Sequence, residues 1–129
     1  MEPNDAAVLV ARAFGAFAGD IEEARRFFVP EFSWHIPGSS RWAGSTTGFE
    51  AVRDMWRRIV DETGGSYVGK PVDFLGGREY AAAIVDVTAA RHGRSLAIRQ
   101  TVIFTLQDGR LSSARQIPHD VAAWDAFFR

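Results

Sequence analysis

Cysteine is absent from the 129 residues, which excludes disulfides, thiol nucleophiles and zinc–thiolate sites together. No apolar run approaches the roughly 18 residues that a membrane-spanning helix needs. Basic residues are not in excess either. The formal net charge is -1, so neither nucleic acid nor an anionic membrane is an expected partner. The N-terminal stretch carries Glu2 and Asp5 and lacks the basic region of a signal peptide, so a cytoplasmic protein is expected. The three histidines and scattered carboxylates show no i, i+3 or i+4 ligand spacing, and no metal site is read from them. Gly38, Gly44 and Gly48 are too widely spaced to cradle a phosphate and have no lysine beside them. No Gly-x-Ser-x-Gly elbow is present, and no cofactor is expected.

Aromatic residues are plentiful. They make up 12% of the chain, and ten of them are Phe. Hydrophobic residues at 47% and charged residues at 24% are ordinary for a globular protein. The length suits one domain, residues 1–129, with a single core. The stretch from Glu31 to Val60 reads as a strand opening into a glycine-studded loop and then an amphipathic helix. Within it Trp34, His35, Arg41 and Trp42 lie close together. Aromatic bulk beside a few titratable groups is how small-ligand pockets are commonly built.

Pro3–Ala18 reads as a first helix, with Pro3 in its first turn and Val10, Phe14 and Phe17 on one stripe. Gly19 ends it. Asp20 caps a second helix, with Glu22 and Glu23 in its first turn, that is expected to run to about Val29 before Pro30. Phe32, Trp34 and Ile36 alternate with Ser33 and His35, which gives a strand with two unlike faces. A loop is expected from Pro37 to Gly48. The third helix, Phe49–Glu62, should bury Val52, Trp56 and Ile59 and turn Arg53, Asp54, Arg57, Arg58, Asp61 and Glu62 to solvent. From Gly64 the period changes to two. Tyr67–Leu75, Tyr80–Ala90, Leu96–Leu106 and Leu111–Pro118 read as four antiparallel strands, punctuated by Gly76-Gly77, His92-Gly93 and Asp108-Gly109. Asp120 should cap a last helix carrying Val121, Trp124 and Phe128 on one side. The fold class is therefore α+β: a curved antiparallel sheet wrapped on three helices from the N-terminal half, plus a short C-terminal helix.

This order of elements resembles the SnoaL-like branch of the nuclear transport factor 2-like superfamily. The resemblance is carried by Trp34-His35-Ile36-Pro37-Gly38, Ala43-Gly44 and Gly48, then Asp108-Gly109-Arg110 and His119-Asp120. It implies a cone-shaped fold with an internal pocket, frequently dimeric through the outer sheet face. Members include polyketide cyclases, steroid isomerases and epoxide hydrolases, so the fold does not fix an activity. The steroid isomerases place a tyrosine on the first helix where this chain has Phe14 and Phe17. They place a base aspartate on the first strand where it has Ser33, Trp34 and His35. That mechanism is therefore disfavoured.

Three residues are catalytic candidates. Asp120 best matches the acid/base aspartate of the SnoaL-like cyclases, and its plain alternative is helix capping. His35 enters the pocket or faces outward, depending on the phase of its strand. Arg99 stands mid-strand and needs a carboxylate, for which Asp86 on the neighbouring strand is the obvious partner. That pair is either a cross-strand tie or a pocket-lining couple of the kind used by the related epoxide hydrolases. Trp34, Trp42, Trp56, Tyr80, Asp86, Gln116 and His119 are candidate ligand contacts, although Trp56, like Trp124, reads better as core. The readings that remain are a cofactor-free isomerase, cyclase or hydrolase acting on a small apolar carbonyl or epoxide compound, a non-catalytic binder of a small apolar molecule, and a dimeric interaction module.

Overall fold

The computed structural model describes every residue from Met1 to Arg129. Pro3–Ala18 form helix α1, with Ala6, Val10 and Ala13 buried along one stripe. Asp20 caps α2 (Ile21–Ala24) by accepting from the backbone N–H groups of Glu22 and Glu23 at 3.1 and 3.3 Å. The second helix is shorter than the sequence suggests. After Ala24 the chain tightens into a 3₁₀ turn, Arg25–Phe27, and is extended from Phe28 onward. Phe28 and Val29 are both buried there, and their burial as a strand outweighs continuation of a helix that Pro30 would soon stop.

Strand β1 therefore runs Phe28–Ile36. A short strand, β2 (Gly44–Thr47), lies inside the span read as loop and pairs antiparallel with β1, Trp34 opposite Thr46. Helix α3 (Phe49–Glu62) buries Phe49, Val52, Met55 and Ile59. The four-strand meander follows as β3 (Val68–Gly76), β4 (Tyr80–Arg91), β5 (Arg94–Gln107) and β6 (Arg110–Pro118), and α4 (Val121–Phe127) closes the chain. His92 and Asp108, both at φ 50°, precede Gly93 and Gly109 at 74° and 77°. Successive positive φ values are what tight hairpins between twisted strands require.

The sheet order is β2-β1-β6-β5-β4-β3. The meander is antiparallel throughout, as its alternation indicates, whereas β1 joins β6 in parallel, so the six-stranded sheet is mixed. Register breaks at Phe28/Ser33, Pro71/Asp73 and Thr105/Leu106 add bend to the twist. The concave face carries Phe32, Trp34, Ile36, Val85, Val102 and Phe104, all buried against the helices. Gly76 seats the start of α1 on β3: a Cβ there would fall 1.8 Å from the Pro3 carbonyl oxygen. The result is an α+β cone. No helix is long and apolar enough to cross a membrane.

Candidate functional site

Between the concave face and the helices lies a cavity of about 490 Å³, lined by 19 residues of which 14 are hydrophobic. Phe14 and Phe17 of α1, Trp34 of β1, Trp56 of α3 and Phe104 of β5 supply most of its bulk. Trp56 packs edge-on against Trp34 (5.2 Å between ring centroids) and tilted against Tyr67 (5.4 Å). The Trp34 indole N–H donates to Gln116 Oε1 at 3.0 Å, which fixes that ring.

The wall also holds polar atoms without partners. The Tyr67 hydroxyl, Gln100 Oε1 and Trp56 Nε1 make no hydrogen bond and are closed off from water, as is Gln116 Nε2 behind Trp34. Gln100 lies opposite Pro118, and Gln116 opposite Val102, so the two glutamines are diagonal neighbours on an otherwise apolar face. Burial pushes the Tyr67 phenol well above its ordinary value, and the nearby Gln100 side chain offsets only part of that. Tyr67 therefore stays neutral, a donor rather than a base. An unsatisfied buried polar atom costs on the order of 1–3 kcal/mol. Several beside one cavity are a liability to the empty fold, and they become an asset to a ligand once these side chains turn their polar atoms toward it.

Arg53, Arg57 and Asp61 stand on α3 at the cavity's edge. The charged run of this helix is therefore not simply a solvated face, because one flank of it borders the hollow. Arg53 bridges to Glu22 of α2 at 2.9 Å and to its neighbour Asp54 at 3.2 Å. Hydrogen bonding from Arg25 first, and from Arg53, holds the Glu22 carboxyl below its ordinary value. The Asp61 carboxylate makes neither a hydrogen bond nor an ion pair, while its main-chain oxygen accepts from the Gly64 N–H at 3.0 Å.

The catalytic candidates lie elsewhere. Trp34 turns inward, so His35 faces outward, where its Nδ1 meets Ser45 Oγ at 2.9 Å. Asp120 caps α4, accepting from the Ala123 N–H at 2.9 Å, and is exposed. Arg99 pairs with Asp86 through two contacts of 2.8 and 3.2 Å on the outer sheet face. Both side chains are about half exposed, at 49% and 47%. The Arg99 hydrogen bond, helped by Lys70, keeps the Asp86 carboxyl below its ordinary value. This is a cross-strand tie, not a cavity couple. Tyr80 is exposed at the start of β4. His119 meets Thr101 on the outer face, Nε2 to Oγ1 at 3.0 Å. Trp42 packs against Phe128 away from the cavity. Trp34 and Trp56 do line it, and Gln116 stands behind Trp34. Trp124 is fully buried.

Tyr67 and Gln100 are the site residues that the sequence reading passed over. Gln100 carried a signal. Leu96, Ile98, Gln100, Val102 and Phe104 form one alternating face, and Gln100 is its single polar member; the neighbouring charge of Arg99 drew attention to the wrong face. Tyr67 had no comparable signal, since it sits just ahead of β3 after a glycine-rich turn. No group of three His, Cys, Asp or Glu residues is placed to hold a metal ion.

A sequence profile of the SnoaL-like domain matches residues 10–114. An uncharacterized protein of Mycobacterium tuberculosis is 28% identical over 122 residues, 93% of each chain. Among solved structures, Bal32a from a soil-derived mobile gene cassette superposes with a TM-score of 0.91 at 33% identity, over 98% of each chain. An NTF2-like protein of Burkholderia xenovorans superposes at 0.84 with 18% identity, covering 100% of this chain and 99% of that one. The last likeness concerns the fold, which is NTF2-like.

Proposed function

The chain belongs to the SnoaL-like domain family, and we propose that it is a small-molecule pocket protein, enclosing a compact, mostly apolar compound that bears a hydrogen-bonding oxygen. The observation that carries this reading is the 490 Å³ cavity with its apolar lining and its unpartnered wall atoms at Tyr67, Gln100 and Trp56. Apolar walls supply affinity, and a few polar groups fix orientation. Tyr67 and the Trp56 indole are donors, so a carbonyl, quinone or ether oxygen suits them. A thermal-shift screen against polycyclic ketones, aromatic polyketides, terpene epoxides and fatty acids tests the reading. A ligand at 100 times its dissociation constant adds roughly 2.7 kcal/mol, several degrees for a chain this long. No shift with any of these classes would contradict it.

A second reading, a cofactor-free isomerase, cyclase or hydrolase, is supported by Asp61 rather than Asp120. Asp61 is the carboxylate that borders the cavity, the position from which a general acid or base acts on a compound held there. Asp61→Asn would then abolish turnover of a compound that still binds; unchanged turnover would exclude the role.

We further propose a homodimer through the outer sheet face, where Leu75, Tyr80 and Ile117 are exposed and Ile84 and Ile103 are only half-buried. Exposed apolar residues gathered on one sheet face support a protein partner. Sedimentation should give twice the 14.3 kDa chain mass, and a clean monomer at micromolar concentration would refute it.

A further inference from the structure

A second crevice, of about 460 Å³, shares no lining residue with the apolar cavity. One wall is the loop between β1 and β2. Asp125 of α4 pins that loop by accepting from the Ser39 N–H at 3.0 Å, the Ser39 hydroxyl at 3.2 Å and the Ser40 N–H at 3.1 Å. Gly38, at φ 90°, makes the approach possible, since a Cβ there would lie 2.5 Å from Asp125 Oδ1. Ser40 Oγ accepts from the Trp42 N–H and from the Trp124 indole, both at 3.3 Å, which leaves its own O–H for a further acceptor.

The crevice is rich in guanidinium groups. Arg41, Arg91 and Arg129 line it. Arg58 lies over the Trp42 ring, and Arg94 reaches the main-chain oxygens of Ala126 and Arg129. Against these stand Asp125, committed to the loop, and Glu62, shared between Arg41 and Arg91. With Arg58 and Arg94 the guanidinium groups number five against Asp125, Glu62 and a main-chain carboxylate at Arg129 that Arg94 holds, so the local balance is positive in a chain whose net charge is -1. The Arg91 side chain is only 8% exposed, and its Nε has no partner. The Arg129 guanidinium makes no hydrogen bond or ion pair, and the Arg41 side chain is half exposed. Structural ties account for Arg91 and Arg94, which hold the end of α4. Arg41 stacks on Trp42 and shares the single carboxylate of Glu62 with Arg91, so one guanidinium charge is left over there, and nothing pairs with the Arg129 guanidinium.

We propose that this crevice is an anion site for a phosphate group, free or as the monoester of a small organic molecule. Planar guanidinium forks match phosphate oxygens two at a time, and the Ser40 hydroxyl adds a donor from a loop already held in place. The positive balance favours a dianion over a carboxylate. Phe128, which lines the crevice, and Trp42, packed against it, offer an aromatic rim for the organic part of a monoester. Phosphate sites recognised in sequences by glycines and a lysine are local in the chain. Here the cations come from the β1–β2 loop, the end of β4 and Arg129 after α4, so no motif announces them.

Calorimetric titration of the whole protein with inorganic phosphate and with phenyl phosphate, at constant ionic strength with chloride as control, tests the proposal. Saturable binding is expected, weakened about tenfold or more by Arg41→Gln and by Arg129→Gln. Arg26→Gln, a surface change at a residue paired with Glu23, should leave it unaltered. Tighter binding of phenyl phosphate identifies a monoester site, and equal binding a site for the phosphate group alone. Absence of saturable heat with both anions, or binding that survives both crevice substitutions, would overturn it.

Discussion

Replacing Gln100 by leucine should raise the melting temperature while weakening ligand binding. Gln100 is 4% exposed and faces the cavity from the middle of β5, its Oε1 without a partner. An unsatisfied buried polar atom costs about 1–3 kcal/mol. Leucine has similar bulk and no polar atom to satisfy; imperfect packing of its branched end, together with the loss of the amide from beside the Tyr67 hydroxyl, returns part of the gain, on the order of 1 kcal/mol. A net gain near 1 kcal/mol corresponds to roughly 4 °C for a chain of this size. Binding moves the other way, because a ligand oxygen that met this amide loses a hydrogen bond, about a tenfold loss of affinity. Melting curves of wild type and Gln100→Leu, each with and without a bound hit, separate the two effects. A variant that melts several degrees lower would show that the amide is satisfied in the free protein, and the reasoning about the cavity wall would fail.

Other predictions concern titration and capping. The Tyr67 phenol is raised above its ordinary value of 10.0, so the stability it contributes is whole below that pH and declines as pH rises beyond it. Tyr67→Phe should flatten the alkaline end of a stability–pH curve measured by urea unfolding. The Asp86 carboxyl is lowered by Arg99, so its contribution is present above its ordinary value of 3.8 and is lost as pH falls further. Arg99→Ala should weaken that acid dependence without changing ligand binding, since the pair lies outside the cavity. Asp120→Ala should cost about 0.5–2 kcal/mol through loss of the helix cap. Asp120→Asn, which keeps a capping side chain, should leave stability, binding and any turnover near wild type.

Regular elements were plain in the sequence wherever side chains alone decide them. The bounds of α1 and α3 follow from apolar periodicity and the glycines beside them, and the meander follows from strict alternation and its turn residues. What escaped depends on distant partners. Gly44–Thr47 lacks apolar alternation and is a strand only because β1 offers an edge to pair with. The second helix stops early because Phe28 and Val29 have a sheet to enter. The parallel pairing of β1 with β6 joins Trp34 to Ala114, a contact that no local pattern encodes. The site divides along the same line. Trp34 and Trp56 were legible as aromatic bulk, but the inward phase of β1, which decides between Trp34 and His35, was not. Charged residues drew the catalytic assignments, and charge turned out to mark the outer face, the helix cap and the cavity edge. Gln100 and Tyr67 are neutral and sit where the wall is dry.

The four tryptophans provide the most direct test of the cavity as the binding site. Trp34 and Trp56 line it; Trp42 and Trp124 do not. Their indole N–H resonances can be assigned by single Trp→Phe substitutions and followed as a thermal-shift hit is added. The account predicts that the Trp34 and Trp56 signals move in a saturable manner while those of Trp42 and Trp124 hold still. Movement confined to Trp42 and Trp124, with Trp34 and Trp56 unchanged at saturation, would contradict it.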